Sequence, residues 1–405
     1  MKREEQEALQ YLQTFAIDQL NNHILPFWRK KTIDREMDGF YGRIENDLTV
    51  DQHAEKGLIL NARILWTFSA MYRTRGHVDD LELAQRAYNY IYENFFDKKY
   101  GGYFWSLNYD GSPKDTKKQI YAQAFVIYAT SEHFKVIQDP SVLQKAIDLF
   151  HLIEKYSFDE VKNGYIEARS REWTEMEDIR LSAKDMNEKK SMNTHLHILE
   201  AYANLYRVWK DDLLKQKLKN LIEIFSDIII DKNDYHQILF FDDNWNSKST
   251  LISYGHDIET SWLLHEAATI LSDRNLMDRI TELSIKMTQA VVAGLSKNGA
   301  LYYESDRSGK HAEYEIEWWA QAEAIVGFLN GYMLTDNARF LDIALRLAKF
   351  IDEFIVDKKY GEWFFRVTED GKPILTHEKA GFWKCPYHNS RACLEILNRV
   401  DKLSQ

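Results

Sequence analysis

Apolar residues recur at helical spacing about twelve times along the chain. The pattern predicts helices near 4–22, 53–75, 79–96, 116–135, 140–156, 190–209, 212–231, 257–272, 275–293, 314–334, 337–355 and 384–401. They fall into six pairs, with long connections from odd to even helices and short ones from even to odd. The long connections resemble one another. Asp97-Lys98-Lys99-Tyr100-Gly101-Gly102-Tyr103-Phe104-Trp105 precedes Asp110-Gly111, and Asp357-Lys358-Lys359-Tyr360-Gly361-Glu362-Trp363 precedes Asp370-Gly371. Weaker copies are Asp38-Gly39-Phe40-Tyr41-Gly42, Asn163-Gly164-Tyr165 and Asn298-Gly299-Ala300. Each reads as a glycine turn into a short strand. The copy at Ile238 to Asp243, before the eighth helix, lacks the glycine.

A helix pair repeated six times means a solenoid or a closed ring. Long loops on one side favour the ring, an all-α (α/α)6 barrel with short β-hairpins in the loops. The even helices would form its inner wall. No linker or low-complexity tract divides the chain, so a single domain over 1–405 is expected.

The polar residues agree with that arrangement, because they gather at the starts of the even helices. Arg63 interrupts an apolar run in the second, and Tyr121 opens the fourth. The sixth begins Ser191-Met192-Asn193-Thr194-His195-Leu196-His197, and the eighth opens at Tyr254-Gly255-His256-Asp257-Ile258-Glu259. The tenth has Glu317, Trp318, Trp319, Gln321 and Glu323, and the twelfth opens around Trp383-Lys384-Cys385-Pro386-Tyr387-His388. Asp257 is the expected cap of the eighth helix, with Gly255 turning the chain before it and His256 just outside. Trp318 and Trp319 point about 100° apart on a helix, so one of them at most should face the cavity.

Composition narrows the function. A formal charge of −11 argues against nucleic acid and acidic lipid as partners. No segment is apolar enough to span a bilayer. The first residues carry no apolar signal core, so a cytoplasmic protein is expected. Two cysteines eight apart suit neither a disulfide framework nor zinc. Aromatic residues reach 14%, with 11 Trp and 23 Tyr, as in clefts that hold sugars on flat platforms.

His197, His256 and His388 carry the candidate chemistry. Neutral imidazoles on opposite sides of a cavity are equipment for proton transfer at a carbon beside a carbonyl. Arg63 and Asn193 would stabilise the oxyanion that forms. A metal is the competitor. On a helix, though, His195 and His197 point about 200° apart, and His256 with Glu259 is one pair without partners. A carboxylate pair drawn from Asp185, Glu259, Glu317 and Glu323 would suit a glycoside hydrolase. Glu259 reads instead as the carboxylate that orients a catalytic histidine, and Asp185 lies in a polar segment, Arg171–Lys190, able to reach the cavity mouth.

Over nearly its whole length the chain resembles the N-acylglucosamine 2-epimerase superfamily. The most specific stretches are Asp38-Gly39-Phe40-Tyr41-Gly42, Lys56 to Trp66, Asn193-Thr194-His195-Leu196-His197, Gly255-His256-Asp257-Ile258-Glu259, Glu317-Trp318-Trp319-Ala320-Gln321 and Trp383 to His388. The last points to a branch that handles disaccharides. The resemblance implies an (α/α)6 barrel and a general acid/base pair, His256 and His388. It implies that His197 and Arg63 bind and polarise the sugar, and that Tyr121, Asn193 and Glu259 line the cavity. Trp319 and Trp383 would be its aromatic walls, and Asp185 a contact to the disaccharide. The implied reaction opens the reducing-end glucose of a β-1,4-linked disaccharide, removes the C2 proton, and returns it to the other face of an enediolate. It needs no redox cofactor and no metal. An aldose–ketose isomerase or a monosaccharide epimerase on the same barrel, and a glycoside hydrolase, are the competing expectations. A monomer or weak homodimer is expected.

Overall fold

Six helices whose surfaces are buried nearly all round form the centre of the computed structural model, which describes residues 2–308 and 312–404. In chain order the α-helices are α1 Arg3–Asp18, α2 Leu25–Lys31, α3 Leu58–Arg75, α4 Val78–Tyr90, α5 Ile120–Ile137, α6 Pro140–Tyr156, α7 Met192–Val208, α8 Asp212–Ile224, α9 Tyr254–Leu271, α10 Arg274–Val291, α11 Trp318–Thr335, α12 Ala338–Phe350 and α13 Tyr387–Leu403. A π-helical turn at Gln19–Ile24 joins α1 to α2.

The inner ring is α3, α5, α7, α9, α11 and α13. Each packs on the next, and α13 packs on α3, so the ring closes. An inner helix touches neighbours on both flanks and an outer helix behind, which is why every residue from Leu58 to Met71 of α3 is buried. The outer helices bury one stripe only. In α6 it is Val142, Ala146, Leu149, Phe150 and Ile153, at the spacing of a single helix face. The fold is therefore the (α/α)6 barrel, with the even members of the predicted series inside. No helix among the described residues is long and apolar enough to cross a membrane.

Five of the six inner helices start later than the periodicity suggested, and α9 starts earlier, at Tyr254. Lys56–Gly57, Lys118–Gln119, Lys190–Ser191 and Ile316–Glu317 are short strands leading into α3, α5, α7 and α11, and Leu251–Ser253 leads into α9. Each pairs antiparallel with a strand in the following long loop, for example Lys118 with Arg169 and Lys190 with Phe241. A bridge between Ile44 and Ala380 joins the first loop to the last. Two residues are too few for a period of two to be told from the start of a helix.

The repeated loops have a common physical basis. Asp97, Asp159 and Asp357 each accept a backbone N–H from residues two and three ahead, and Asp34 does the same. Their second oxygens pair with Lys118, Lys190, Lys379 and Lys56, four lysines almost wholly out of solvent. The copy without a glycine is the turn Asp231 to Gln237, earlier than Ile238 to Asp243. There the N–H of Tyr235 donates to Asp231 O, as Gly101 does to Asp97 O and Gly361 to Asp357 O. Tyr235 takes the positive φ, +61°, that glycine supplies in the other two.

Candidate active site

The five entry strands lie at one end of the barrel, and the N-termini of all six inner helices surround a cavity of about 450 Å³. Its wall contains Arg63, Tyr121, Asn193, His197, His256, Glu259, Trp319 and His388 from those helices. Asp185 and Trp383 reach it from loops. The ten residues singled out in the sequence are thus brought together.

The start of α9 differs from expectation. Ser253 precedes the helix, and Gly255, His256 and Asp257 all lie within it. Asp257 does not cap. It accepts His236 Nδ1–H at 2.7 Å and the N–H of Gln237 at 2.9 Å, tying the preceding loop to the helix. Gly255 is required by close packing instead of by a turn, since a Cβ there would stand 2.6 Å from the Trp319 ring.

All three cavity histidines are held through Nδ1. His256 Nδ1 is 2.7 Å from Ser253 Oγ, His197 Nδ1 is 3.0 Å from Glu200 Oε2, and His388 Nδ1 is 2.7 Å from Glu323 Oε1. None of the three Nε2 atoms hydrogen-bonds a described residue. Burial pushes His256 down to about 3, with His197 adding to the effect. Burial also lowers His197 against the opposing pull of Glu200. His388 is held well below the usual imidazole range by burial and by the guanidiniums of Arg63 and Arg391. At neutral pH all three rings are neutral, as proton acceptance requires. His195 turns away from the cavity: it donates from Nδ1 to Ser191 O and accepts the Tyr165 N–H at Nε2.

Trp319 lies between two of these rings. Its ring centroid is 4.6 Å from that of His256 and 5.6 Å from that of His388. Its Nε1–H donates to Glu317, whose other oxygen is 2.7 Å from Arg366 Nε. Trp318 lines the cavity too. It stands at the first helical position, and the expected exclusion of one tryptophan does not hold. Trp383 packs 6.0 Å from Tyr121.

Arg63 is buried with no carboxylate partner among the described residues. It donates to Tyr121 Oη at 2.7 Å and packs over Phe125 at 4.4 Å. Burial keeps the Tyr121 phenol protonated, its ionisation pushed well above the usual range. Asn193 Oδ1 also lacks a hydrogen-bond partner among the described residues. A buried cation and an unmet amide beside three neutral imidazoles suit a reaction that develops negative charge on oxygen.

Glu259 departs from its expected role. It accepts Arg391 Nη2–H at 2.6 Å and lies 4.0 Å from His388 Nδ1. Two carboxylates hold cavity histidines, Glu200 for His197 and Glu323 for His388, and the sequence offered Glu323 only as a hydrolase candidate. Glu317 is committed to Arg366 and Trp319, and Glu323 lies behind His388. Neither is free to protonate a glycosidic oxygen. Asp185 Oδ2 accepts both the N–H and the Oγ–H of Ser182. Donor atoms of Glu259, Glu323 and His388 lie within 4.8 Å of one another, the spacing of a metal site. Arg391 Nη2 hydrogen-bonds both carboxylates and supplies the positive charge a metal ion would bring.

A family model described as N-acylglucosamine 2-epimerase (GlcNAc 2-epimerase) matches residues 39–392, a span that holds all ten cavity residues. The chain belongs to the N-acylglucosamine 2-epimerase family. A cellobiose 2-epimerase of Bacteroides fragilis is 48% identical over 379 residues, covering 94% of this chain and 97% of its own. A cellobiose 2-epimerase of Dictyoglomus turgidum is 37% identical over 393 residues, covering 97% and 100%. The structure of cellobiose 2-epimerase from Bacillus thermoamylovorans B4167 superposes with a TM-score of 0.92 at 40% identity, over 96% of this chain and 99% of that one. Within the family's matched span, Glu200, Glu323, Tyr387 and Arg391 form the layer behind the histidines. Glu200 was within reach of sequence reasoning, three residues after His197 on one helix face. The link from Glu323 to His388 joins two helices and leaves no local signal.

Proposed function

We propose that the chain is a cellobiose 2-epimerase, an isomerase that inverts C2 of the reducing-end glucose in β-1,4-linked disaccharides. Cellobiose gives glucosyl-mannose, and lactose gives epilactose. The observation that carries the reading is the pair of neutral imidazoles, His256 and His388, that line the cavity with Trp319 in contact with both rings.

The reaction follows from the residues. A histidine assists opening of the sugar ring. Nε2 of one imidazole removes the C2 proton of the open aldehyde. Charge moves to the carbonyl oxygen, where Arg63, His197 and Asn193 meet it. Rotation about C2–C3, or delivery from the second imidazole, returns the proton to the opposite face. The substrate supplies its own carbonyl, so this chemistry calls on no redox cofactor and no metal. Trp319 and Trp383 serve as flat walls for the sugar rings, Tyr121 and Glu259 line the reacting end, and Asp185 meets the disaccharide at the mouth. We place the enzyme in the cytoplasm as one catalytic domain over 1–405, a monomer or weak homodimer.

The test is incubation with cellobiose in D2O in the presence of a chelator, read by NMR, with His256→Ala and His388→Ala alongside. Glucosyl-mannose carrying deuterium at C2, absent with both variants, is the expected result. Glucosyl-fructose as the main product would make the enzyme an aldose–ketose isomerase, and free glucose a hydrolase.

A further inference from the structure

We propose that Arg391 is a positioning residue that fixes the ring tautomers of both His197 and His388, and so keeps their Nε2 lone pairs turned to the sugar. This rests on the epimerase reading of the cavity. Arg391 is itself buried and sits directly behind the histidines at the centre of the ring. Its Nη1 donates to Glu200 Oε1 and to Tyr387 Oη. Its Nη2 donates to Glu259 Oε1 at 2.6 Å and to Glu323 Oε1 at 2.7 Å. Glu200 presents its other oxygen to His197 Nδ1 at 3.0 Å, and Glu323 Oε1 also lies 2.7 Å from His388 Nδ1. One guanidinium therefore stands behind two catalytic rings on two different helices, one carboxylate away from each.

Charge is the reason. Three carboxylates converge on this point, from α7, α9 and α11. The other groups facing it are Tyr128 from α5, with Tyr387 and His388 from α13, and Arg63 from α3 also packs against the Tyr387 ring, 5.1 Å from its centroid. Two of the facing groups are neutral phenols and one is a neutral imidazole. Arg391 is the cation that hydrogen-bonds the three carboxylates. Burial favours the protonated acids, and it does raise Glu259 and Glu323. Burial acts on Glu200 as well, but Arg391, His197 and Tyr387 outweigh it and hold that carboxyl down to about 2. An ionised carboxylate accepts Nδ1–H and leaves Nε2 bare. A protonated one offers O–H to Nδ1, which moves the ring proton to Nε2 and removes the base. Planarity matters as well, because the two Nη groups address separate carboxylates while the face stacks 4.3 Å from Tyr387 and 4.8 Å from Trp262.

The experiment compares the full-length enzyme with Arg391→Met and Arg391→Lys, with cellobiose as substrate. Removing the cation raises the carboxylates by about one to three pH units, and the active form needs them ionised. The acid limb of the kcat profile is expected to move up by at least about one pH unit in Arg391→Met. KM should stay within about threefold, and Arg391→Lys should fall between. A loss that is equal at every pH, or a profile that does not move, overturns the proposal. Histidine-selective 15N NMR decides it without turnover: His197 and His388 should be Nδ1–H tautomers in the wild type and in Arg391→Lys. Nε2–H in the wild type would overturn it, even where Arg391→Met does not fold. A wild type that leaves every sugar unchanged would remove the epimerase reading and leave the NMR result standing.

Discussion

Glu323 Oε1 lies 2.7 Å from His388 Nδ1, joining residues 65 positions apart on adjacent inner helices. The same carboxylate accepts Trp262 Nε1–H at 3.2 Å through its other oxygen. It thus orients the imidazole and is itself oriented. Glu323→Gln keeps the shape and removes the charge, so the amide N–H competes with the ring proton. We expect kcat on cellobiose to fall by about 10²–10⁴, the range a positioned proton-transfer group supplies, while KM stays near that of the wild type. Steady-state kinetics on the purified variant check this, and an unchanged kcat would count against His388 as a proton-transfer group.

Gly255→Ala tests the wall between the histidines. The new Cβ would stand 2.6 Å from the Trp319 ring and 2.9 Å from Ala320 Cβ. Overpacking of this kind costs about 1–3 kcal/mol, and the displaced ring touches both His256 and His388. Stability and turnover should fall together. Gly76→Ala is the contrast. At φ +73° with nothing within 4 Å of its Cβ position, it should cost about 1–2 kcal/mol of stability and leave turnover intact. Chemical denaturation and initial rates separate the two.

The barrel and its cavity were legible because both follow from periodicity. Inner helices are buried on most sides, so a polar residue inside an apolar run near their starts, such as Arg63 in α3, stands out. What escaped was of two kinds. The entry strands, such as Lys56–Gly57, are two or three residues long, below the length at which alternation becomes visible. Partners across helices, such as Glu323 for His388 and Lys118 for Asp97, depend on how the ring closes. The cap assigned to Asp257 failed because an acidic residue near a helix start has several donors to choose from, and here the loop at His236 and Gln237 supplies them.

The buried lysine–aspartate pairs make a graded prediction. Asp357 has Lys379 at 2.6 Å as its cation, whereas Asp97 has Lys118 at 3.1 Å and Arg171 at 2.9 Å. Stranding a buried carboxylate costs about 3–5 kcal/mol. Lys379→Met should approach that cost. Lys118→Met should cost distinctly less, because Arg171 remains. Urea unfolding of the two variants measures the difference, and equal losses would mean that Arg171 contributes nothing to Asp97.

Acid should weaken the fold through histidines that lie outside the cavity. Burial holds His133 and His195 down to about 4, and both are 0% exposed. In the unfolded chain a histidine titrates near 6.5. Between these values the unfolded state binds the extra proton, so stability is full above about pH 6.5 and falls as the pH drops toward 4, by up to about 1.4 kcal/mol per unit for each ring. Glu167 acts in the opposite sense. Burial raises it to about 7, so its protonated form favours the fold as the pH drops from 7 toward the ordinary carboxyl range. A variant cancels that background. His195→Gln keeps an acceptor for the Tyr165 N–H and a donor for Ser191 O, and it does not titrate. Its stability relative to wild type should improve steadily as the pH is lowered from 6.5 to 5, by about 2 kcal/mol in all. Unfolding curves at pH 7.5, 6 and 5 decide the matter: a constant gap between the two proteins would mean that His195 binds its proton equally in both states.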